Sequence, residues 1–418
     1  MPTNRRGRRA RRDLAPDRRR HHLTYTSLIL LVVGTVTAGI ILAVTALPRG
    51  SADLTSPPTT EPTPTPTETA DVLAGVQLNP LEERRIQELR DFTEWLRQND
   101  ATGFVGELGW PKQEPDVEEW NALADKWYSV ADQEGLWSTI WAAGSDWSDG
   151  YPLTVYAEQG DDGLDAANRQ AEVLESHVGG DVRVGVNLAG LEFGTESDFS
   201  SSDPGELGTD FFTEREASFA YLASRGVDLV RLPFRWERLQ PTVFGDLSDE
   251  HLALLRDSLD AALANGIDVI LDLHNYGRYE DASGQLQVGT DRLPADALAD
   301  VWRKISAEFS DHEAVLAYGL MNEPHSFEEP ADRSAARLWE DVSQQTLSAL
   351  RSAGDDTLIM VAGYDWSSLK RWERTHPTGW IDDPADNFKY EAHHYWDADG
   401  SGSYARPFVS ELAELPEP

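Results

Sequence analysis

Two glutamates in widely separated parts of the sequence have surroundings that suit catalytic carboxylates. Glu107 lies in the apolar run GFVGELG, residues 103–109, and Glu323 directly follows VLAYGLMN, residues 315–322. Each run has the length of a buried strand, and a carboxylate beside a buried strand is rarely left without a partner. Two such groups brought together suit acid/base or nucleophilic catalysis, because one can attack while the other donates a proton.

Eight short apolar runs alternate with amphipathic segments along the chain from residue 76. The runs are residues 103–109, 136–144, 182–190, 227–234, 268–274, 315–322, 357–363 and 389–395. The segments between them place Leu, Phe, Ala and Trp at three- and four-residue spacing, which is typical of helices. Repeated strand and helix units predict a closed α/β (β/α)₈ TIM barrel over residues 76–418. A doubly wound open sheet is the alternative, which the lack of a glycine-rich phosphate loop after any run disfavours.

The residues at the ends of these runs are unusually polar. In a TIM barrel the chemistry takes place at the C-terminal ends of the strands. Those ends carry Glu107, Trp141, Asn187, Arg231, His274, Asn322 with Glu323, Tyr364, and His393 with Tyr395. Each of them alone has an ordinary structural explanation, such as a turn cap, an ion pair or a core histidine. Their joint placement at one face of a barrel indicates a functional site.

Neither of two possible metal motifs fits its pattern. The stretch DADGSG begins like a calcium loop, but position 12 counted from Asp397 is Phe408 and not the glutamate that an EF-hand requires. His393 and His394 are adjacent on a predicted strand, so they point to opposite faces and cannot bind one ion together. We therefore expect no metal and no cofactor.

Six of the motifs at strand ends resemble those of glycoside hydrolase family 5, most closely its endoglucanases. They are RLPFRWERLQP (231–241), LDLHNY (271–276), GLMNEPH (319–325), EAHHYWDADGSGSY (391–404), GFVGELGWP (103–111) and WSTIWAAGSDW (137–147). The resemblance implies a retaining endo-β-glycanase that cleaves β-1,4-glucan, with Glu107 as nucleophile and Glu323 as acid/base. Alternatives are activity on β-mannan or β-1,3-glucan, transglycosylation, or a catalytically silent carbohydrate-binding barrel.

The other residues at strand ends have expected roles around this pair. Arg231 and Tyr395 can donate hydrogen bonds to Glu107, and Asn322 can bind the sugar 2-hydroxyl. His274 and His393 are expected to line the floor of the sugar site, and Trp141 offers a flat apolar face for a pyranose ring. Further tryptophans follow strand ends and serve either as stacking platforms or in packing between barrel and helices: Trp110, Trp147, Trp236 and Trp396.

The order of the motifs departs from the family. There the GELG-like strand is seventh and the WAAG-like strand eighth, whereas here they come first. We therefore predict a circularly permuted barrel, in which residues 76–150 hold family strands 7 and 8, residues 151–181 join them to the rest, and residues 182–418 hold family strands 1–6. In a ring of eight, the first and sixth strands lie three steps apart, as do the fourth and seventh, so the site geometry is preserved.

The N-terminal part of the sequence predicts a membrane anchor. Residues 1–22 are rich in arginine, and residues 23–47 carry no charge and are long enough to cross a bilayer. The positive-inside rule then places residues 1–22 in the cytoplasm and the catalytic domain outside the cell. Residues 48–75 are a spacer rich in proline and threonine. The alternative is a secreted protein, cleaved after AVTA at Ala46.

The composition limits the possible partners. The net charge of the chain is -37, and residues after the basic N-terminus are strongly acidic, which repels phosphate backbones and argues against nucleic acid. The chain has no cysteine, so disulfides and thiolate metal sites are excluded. We expect a monomer whose partner is a polysaccharide substrate.

Overall fold

The computed structural model describes residues 70–413, apart from residues 114, 149, 161 and 196–198. The predicted basic tail, the membrane helix at residues 23–47 and all but the last six residues of the spacer lie outside the described residues. No helix within the described part of the chain is long and apolar enough to cross a membrane.

Eight parallel strands within the described residues form a closed barrel, which confirms the TIM barrel prediction. In chain order they are β1 Gly103–Gly109, β2 Trp137–Ala143, β3 Val184–Leu188, β4 Leu229–Phe234, β5 Asp268–Leu273, β6 Val315–Gly319, β7 Leu358–Ala362 and β8 Phe388–Tyr395. Each strand pairs with the next, and β8 pairs with β1 to close the ring. All eight lie within the predicted runs or overlap them to within one residue.

Seven longer helices of the described chain surround the barrel. They are α1 Pro80–Gln98, α2 Val117–Gln133, α3 Gln170–His177, α4 Glu216–Ser224, α5 Asp249–Ala264, α6 Ala295–Phe309 and α7 Ala335–Ser352. Shorter helices are Trp236–Leu239, Leu369–Arg371, Trp372–Thr375 and Phe408–Ala413. Short antiparallel strand pairs lie outside the barrel, Tyr156–Ala157 with Ala166–Ala167 and Arg278–Asp281 with Gly284–Gln287.

Helix α1 begins at a strong local signal and packs beside the last strand. Asn79 accepts hydrogen bonds from the first helical N–H groups while Glu82 bonds back to the Asn79 N–H, a capping box that satisfies donors at the helix start. Further along, Arg85 Nε donates to the carbonyl of Trp396 just after β8 at 3.0 Å. The helix that precedes β1 is thereby held against the strand that closes the ring.

The tryptophans that follow strand ends serve mostly in packing. Trp110, Trp236 and Trp396 are fully buried, so of the two roles open to them these three serve in packing. Trp110 and Trp396 stack on each other with centroids 5.4 Å apart, between barrel and helices. Trp147 is half-buried and stacks on Tyr151.

Candidate active site

The C-terminal ends of the barrel strands surround a cleft of about 640 Å³. Six of the eight predicted site residues line it, and the other two, Arg231 and Asn322, lie buried beneath it. The six are Glu107, Trp141, His274, Glu323, His393 and Tyr395. The structure therefore brings together all eight residues to which the sequence assigned a role at the site.

Glu107 and Glu323 face each other across the cleft floor. One carboxylate oxygen of each, together with a ring nitrogen of His393, lies within 4.8 Å of the others. His393 Nδ1 is 2.7 Å from Glu323 Oε1 and 3.6 Å from Glu107 Oε2, so the imidazole bridges the pair. This separation is closer to the about 5–5.5 Å of retaining glycosidases than to the about 6.5–9.5 Å of inverting ones.

Two donors fix the orientation of the Glu107 carboxylate. Arg231 Nη1 donates to Oε1 at 3.1 Å, and the Tyr395 hydroxyl donates to Oε2 at 2.8 Å. Burial, together with the charge of Glu107, raises the pKa of Tyr395 well above 10, so this hydroxyl keeps its proton. Both predicted hydrogen bonds to Glu107 are present.

Arg231 is the centre of a buried charge cluster that also contains Asp272 and Glu391. Its Nη2 is 3.0 Å from Asp272 Oδ1 and its Nε is 3.0 Å from Glu391 Oε1, with all three side chains out of contact with solvent. Burial raises the pKa of Asp272 to about 7 even though Arg231 opposes the shift. For Glu391 the positive charges of Arg231 and His393 outweigh burial and lower the pKa.

Asp272 and Glu391 are not among the residues that the sequence predicts for the site, because neither is at the end of its strand. Asp272 stands two residues before His274, and Glu391 stands two residues before His393. Side chains two apart on a strand lie on the same face, so both point into the barrel directly below the residues of the cleft. The alternation of side chains along a strand therefore predicts Asp272 and Glu391 as site residues once His274 and His393 are placed.

His274 and Asn322 are held in single orientations. Asp272 Oδ2 lies 2.8 Å from His274 Nδ1 and accepts a hydrogen bond from the proton on that nitrogen. The other ring nitrogen, Nε2, then carries no proton and accepts from Tyr276 and Asn322, each at 3.1 Å. Burial lowers the pKa of His274 well below its usual value, consistent with a neutral ring. Asn322 Oδ1 accepts from Arg231 Nη2 at 2.7 Å, which fixes the amide beside Glu323.

Residues 186–414 match the family profile described as cellulase, glycosyl hydrolase family 5. This match covers more than half of the chain. The chain belongs to glycosyl hydrolase family 5.

Curated relatives carry names from the same family. The chain is 31% identical over 223 residues to endo-beta-1,4-glucanase A of Emericella nidulans, covering 53% of this chain and 62% of the relative. It is 29% identical over 232 residues to manganese dependent endoglucanase Eg5A of Phanerodontia chrysosporium, covering 53% and 54%. The chain thus spans less than two thirds of the length of these relatives. Among solved structures, the Pseudomonas stutzeri endoglucanase Cel5A in complex with cellobiose is 38% identical, with 55% of this chain and 69% of that chain covered and a TM-score of 0.47.

The match to glycosyl hydrolase family 5 extends over β3 to β8 and leaves out β1 and β2. Glu323 and Arg231 lie inside it, whereas Glu107 and Trp141 lie outside. In the structure β1 carries a break in its pairing with β8 between Val105 and Glu107, which makes Gly106 the extra residue of a β-bulge. The bulge turns the Glu107 side chain into the cleft.

Gly106 has no room for a side chain. A Cβ at this position would overlap with Oε1 of the buried Glu391. The carbonyl of Gly106 accepts hydrogen bonds from Thr139 at 2.6 Å and Asn187 at 2.9 Å, which fixes the bulge from the two strands on its other side. Asn187, whose place at a strand end was noted in the sequence, therefore serves to position β1 and also accepts from Arg231 at 2.8 Å.

We expect Gly106→Ala to destabilise the fold and to reduce activity, because the new methyl group must displace Glu391 or the bulge. Overpacking of this kind typically costs about 1–3 kcal/mol, measurable as a lower midpoint in urea unfolding. Gly180→Ala is the matched control, since a Cβ there meets only backbone atoms 3.9 and 4.0 Å away. Equal stability of the two variants would contradict the packing conflict inferred for the bulge.

His393 carries a positive charge at neutral pH. Burial alone would lower its pKa, but the facing carboxylates Glu107, Glu323 and Glu391 outweigh burial and raise the pKa to about 10. Its protonated Nδ1 donates to Glu323. Although Glu107, Glu323 and His393 are close enough to hold a metal ion, an ion would have to displace this proton, which opposes metal binding at neutral pH.

The charge on His393 predicts a stability that depends on pH. Exposed in the unfolded chain, His393 has a pKa near 6.5, so the folded state binds the proton more tightly. The resulting stabilisation is complete below about pH 6.5 and is lost as the pH rises toward the folded pKa of about 10. Across this interval, urea unfolding should show a larger loss of stability for the wild type than for His393→Gln.

His394, the next residue, is the control for this measurement. It points to the opposite face, where Nε2 contacts Glu88 at 3.0 Å and Nδ1 accepts from Trp127 at 3.1 Å, as the strand alternation predicted. Burial lowers the pKa of His394 to about 4, so it stays neutral throughout the interval and His394→Gln should leave the pH slope unchanged. A wild-type slope equal to that of His393→Gln would rule out a charged His393.

Trp141 and Trp366 offer aromatic rings to sugar in the cleft. Trp141 stacks on His274 with centroids 5.5 Å apart and remains 9% exposed, so one part of its ring faces the cleft. Trp366, which the sequence did not single out, is 41% exposed and stacks on His325 at 3.9 Å. The one feature of the sequence that points to Trp366 is its position two residues after Tyr364, just beyond the end of β7.

Proposed function

We propose that this protein is a retaining endo-β-1,4-glucanase. The observation that carries the proposal is the pair Glu107 and Glu323, whose carboxylates lie within 4.8 Å of each other in the cleft. The endoglucanase names of the relatives agree with this proposal. The flat ring of Trp141 suits the apolar face of a glucose unit.

In the first step Glu107 attacks the anomeric carbon while Glu323 protonates the departing glycosidic oxygen. The two donors to Glu107, Arg231 and Tyr395, aim its carboxylate at the sugar. Asn322, which Arg231 and His274 fix next to Glu323, binds the 2-hydroxyl in this proposal, a contact that strengthens in the transition state.

In the second step Glu323 accepts a proton from water, which attacks the glycosyl ester on Glu107 and releases the sugar with retained configuration. Esterification removes the negative charge of Glu107, one of the charges facing His393. Because Glu323 gave its proton to the leaving oxygen in the first step, it is a carboxylate in the second step and can serve as the base. The hydrogen bond from His393 holds it in one place through both steps.

We further propose that the barrel is circularly permuted relative to the family, with β1 and β2 equivalent to the seventh and eighth family strands. Two observations support this proposal. The family match begins at residue 186, near the start of β3, while Glu107 lies on β1. In the ring β1 stands between β8 and β2, and β2 between β1 and β3, the neighbours that such strands require.

We propose that residues 23–47 anchor the protein in the membrane, with the catalytic domain outside the cell where polysaccharide is found. We also propose that the protein is a monomer. The arginine-rich segment before these uncharged residues supports this orientation. Fractionation of cells that express the full chain tests it. Activity in the membrane fraction is expected, and activity in the medium with a shortened N-terminus would indicate cleavage and secretion instead.

The function is tested by incubating the protein with soluble cellulose derivatives, β-mannan and β-1,3-glucan, and following the first anomer by NMR. We expect hydrolysis of the cellulose derivative with the β-anomer formed first. The α-anomer first would exclude retention, and preference for mannan or β-1,3-glucan would replace the substrate. Binding without hydrolysis would identify a carbohydrate-binding barrel.

A further inference from the structure

We propose that Tyr151, in the segment that joins β2 to β3, determines specificity by donating a hydrogen bond to one hydroxyl of the bound glucan. The inference rests on the proposed glycanase function. It assigns part of the substrate cleft to residues 151–181, which the sequence suggested only as a connection.

Tyr151 is held in place at the edge of the cleft. It lines the cleft together with Leu153, Trp141 and Glu107. Its ring stacks face to face on Trp147, with centroids 4.0 Å apart and an angle of 9° between the planes. Trp147 in turn packs edge-on against Phe193, 4.6 Å away. This packing fixes the tyrosine ring and leaves its half-buried hydroxyl at the cleft.

The hydrogen bonds of this hydroxyl define its role. The Trp141 indole N–H can only donate, and its nitrogen lies 2.8 Å from the Tyr151 oxygen, so the oxygen is the acceptor. The hydroxyl proton must therefore point elsewhere. In the described part of the chain no acceptor for it lies within hydrogen-bond distance, which leaves a donor for a ligand in the cleft.

The electrostatic surroundings keep that donor protonated. Burial is the main cause that raises the pKa of Tyr151, and the negative charges of Glu107 and Glu192 add to it, against the opposing effect of the Trp141 hydrogen bond. A phenol that stays neutral and is oriented by a fixed N–H offers its proton in one direction. A glucose ring that stacks on Trp141 presents its hydroxyls at the ring edge, within the region that Tyr151 borders.

A site built to bond one hydroxyl rejects an analogue that lacks it, because the protein donor is then left unpaired. The selectivity of Tyr151 should therefore be visible at a single sugar position. A merely structural tyrosine would affect all substrates alike.

The test compares wild type and Tyr151→Phe on an aryl β-cellobioside and on analogues that lack one hydroxyl in turn. On the parent substrate Tyr151→Phe should lower kcat/KM about tenfold, the effect of one lost hydrogen bond. On the analogue that lacks the partner hydroxyl, the tenfold advantage of the wild type over the variant should be absent. Tyr221→Phe is the matched control, since Tyr221 does not line the cleft.

Two outcomes would overturn the inference in an active wild-type enzyme: no loss in Tyr151→Phe, or the same loss on every analogue. An inactive wild type on all the glucosides would instead count against the proposed function. The failures of the two proposals are therefore distinguishable.

Discussion

Replacement of Glu107 or Glu323 by glutamine will lower kcat on soluble cellulose derivatives by roughly 10³-fold or more in each case. In Glu107→Gln the amide cannot form the glycosyl ester, and in Glu323→Gln it can neither protonate the leaving oxygen nor activate water. Glu328→Gln is the matched control, because this exposed side chain lies five residues beyond Glu323 and outside the cleft. Full activity in either Glu107→Gln or Glu323→Gln would contradict the assignment of these two glutamates as catalytic.

The two roles can be separated with alanine variants, an activated aryl glycoside and azide. Such a leaving group needs no proton, so Glu323→Ala should still form the glycosyl ester but release it slowly, giving a burst of phenolate. Azide needs no general base and should restore turnover with a β-glycosyl azide as product. Glu107→Ala with azide should instead yield the α-glycosyl azide, because azide then attacks the sugar directly. The reverse pattern would exchange the two assignments.

The Glu107→Gln variant should remain folded, which keeps the activity result interpretable. Arg231 retains its ion pairs with Asp272 and Glu391 when the charge of Glu107 is removed. The amide has the size of the carboxylate and can still accept from Tyr395. A thermal unfolding midpoint close to that of the wild type is therefore expected, and a large drop would indicate that the activity loss reports misfolding.

The barrel and the side chains at the C-terminal ends of its strands could be predicted from the sequence, because both depend on local patterns. Each buried strand is a short apolar run in the sequence, and a closed parallel barrel brings every C-terminal strand end to one face. Given these two facts, Glu107 and Glu323 must meet although they are far apart in the chain. The same logic placed His274, His393 and Tyr395 around them.

The features that were missed depend on contacts between strands. Gly106 forms a bulge only because β1 meets β8 in a particular register, and it must be glycine because Glu391 occupies the space beside it. The burial of Trp110, Trp236 and Trp396 depends on the path of the chain after each strand, since a tryptophan there can turn toward the cleft or toward the helices. No local spacing decides between these directions.

The permutation proposal predicts that residues 180–418 alone will be insoluble or inactive. This fragment lacks β1 and β2, so β8 and β3 would each expose an unpaired edge. It also lacks Glu107 and the helix α1 whose Arg85 bonds to the carbonyl of Trp396. Sedimentation and hydrolysis of soluble cellulose derivatives measure the outcome, and normal hydrolysis by the fragment would refute the ring arrangement.

A reordered chain supplies the stricter test of the same proposal. Residues 180–413, a Gly/Ser linker and residues 70–179 in that order give the strand order that the proposal assigns to the rest of the family. The cut between Gly179 and Gly180 falls at two exposed glycines and leaves the segment with Tyr151 attached to β2. Phe408 N bonds to Asp116 just before α2, whereas the carbonyl of Ala70 accepts from Gln133 at the end of α2. The linker therefore has to span about the length of this 17-residue helix, roughly 25 Å, which about ten extended residues can reach.

Every strand of the reordered chain keeps its neighbours, since a closed ring has no first member. We therefore expect a folded protein with kcat/KM within about tenfold of the original, a difference of about 1.4 kcal/mol. Glu107→Gln in the reordered chain should abolish this activity and so exclude a contaminating enzyme. A reordered chain that is soluble and compact but inactive would contradict the proposal that β1 and β2 are equivalent to the seventh and eighth family strands.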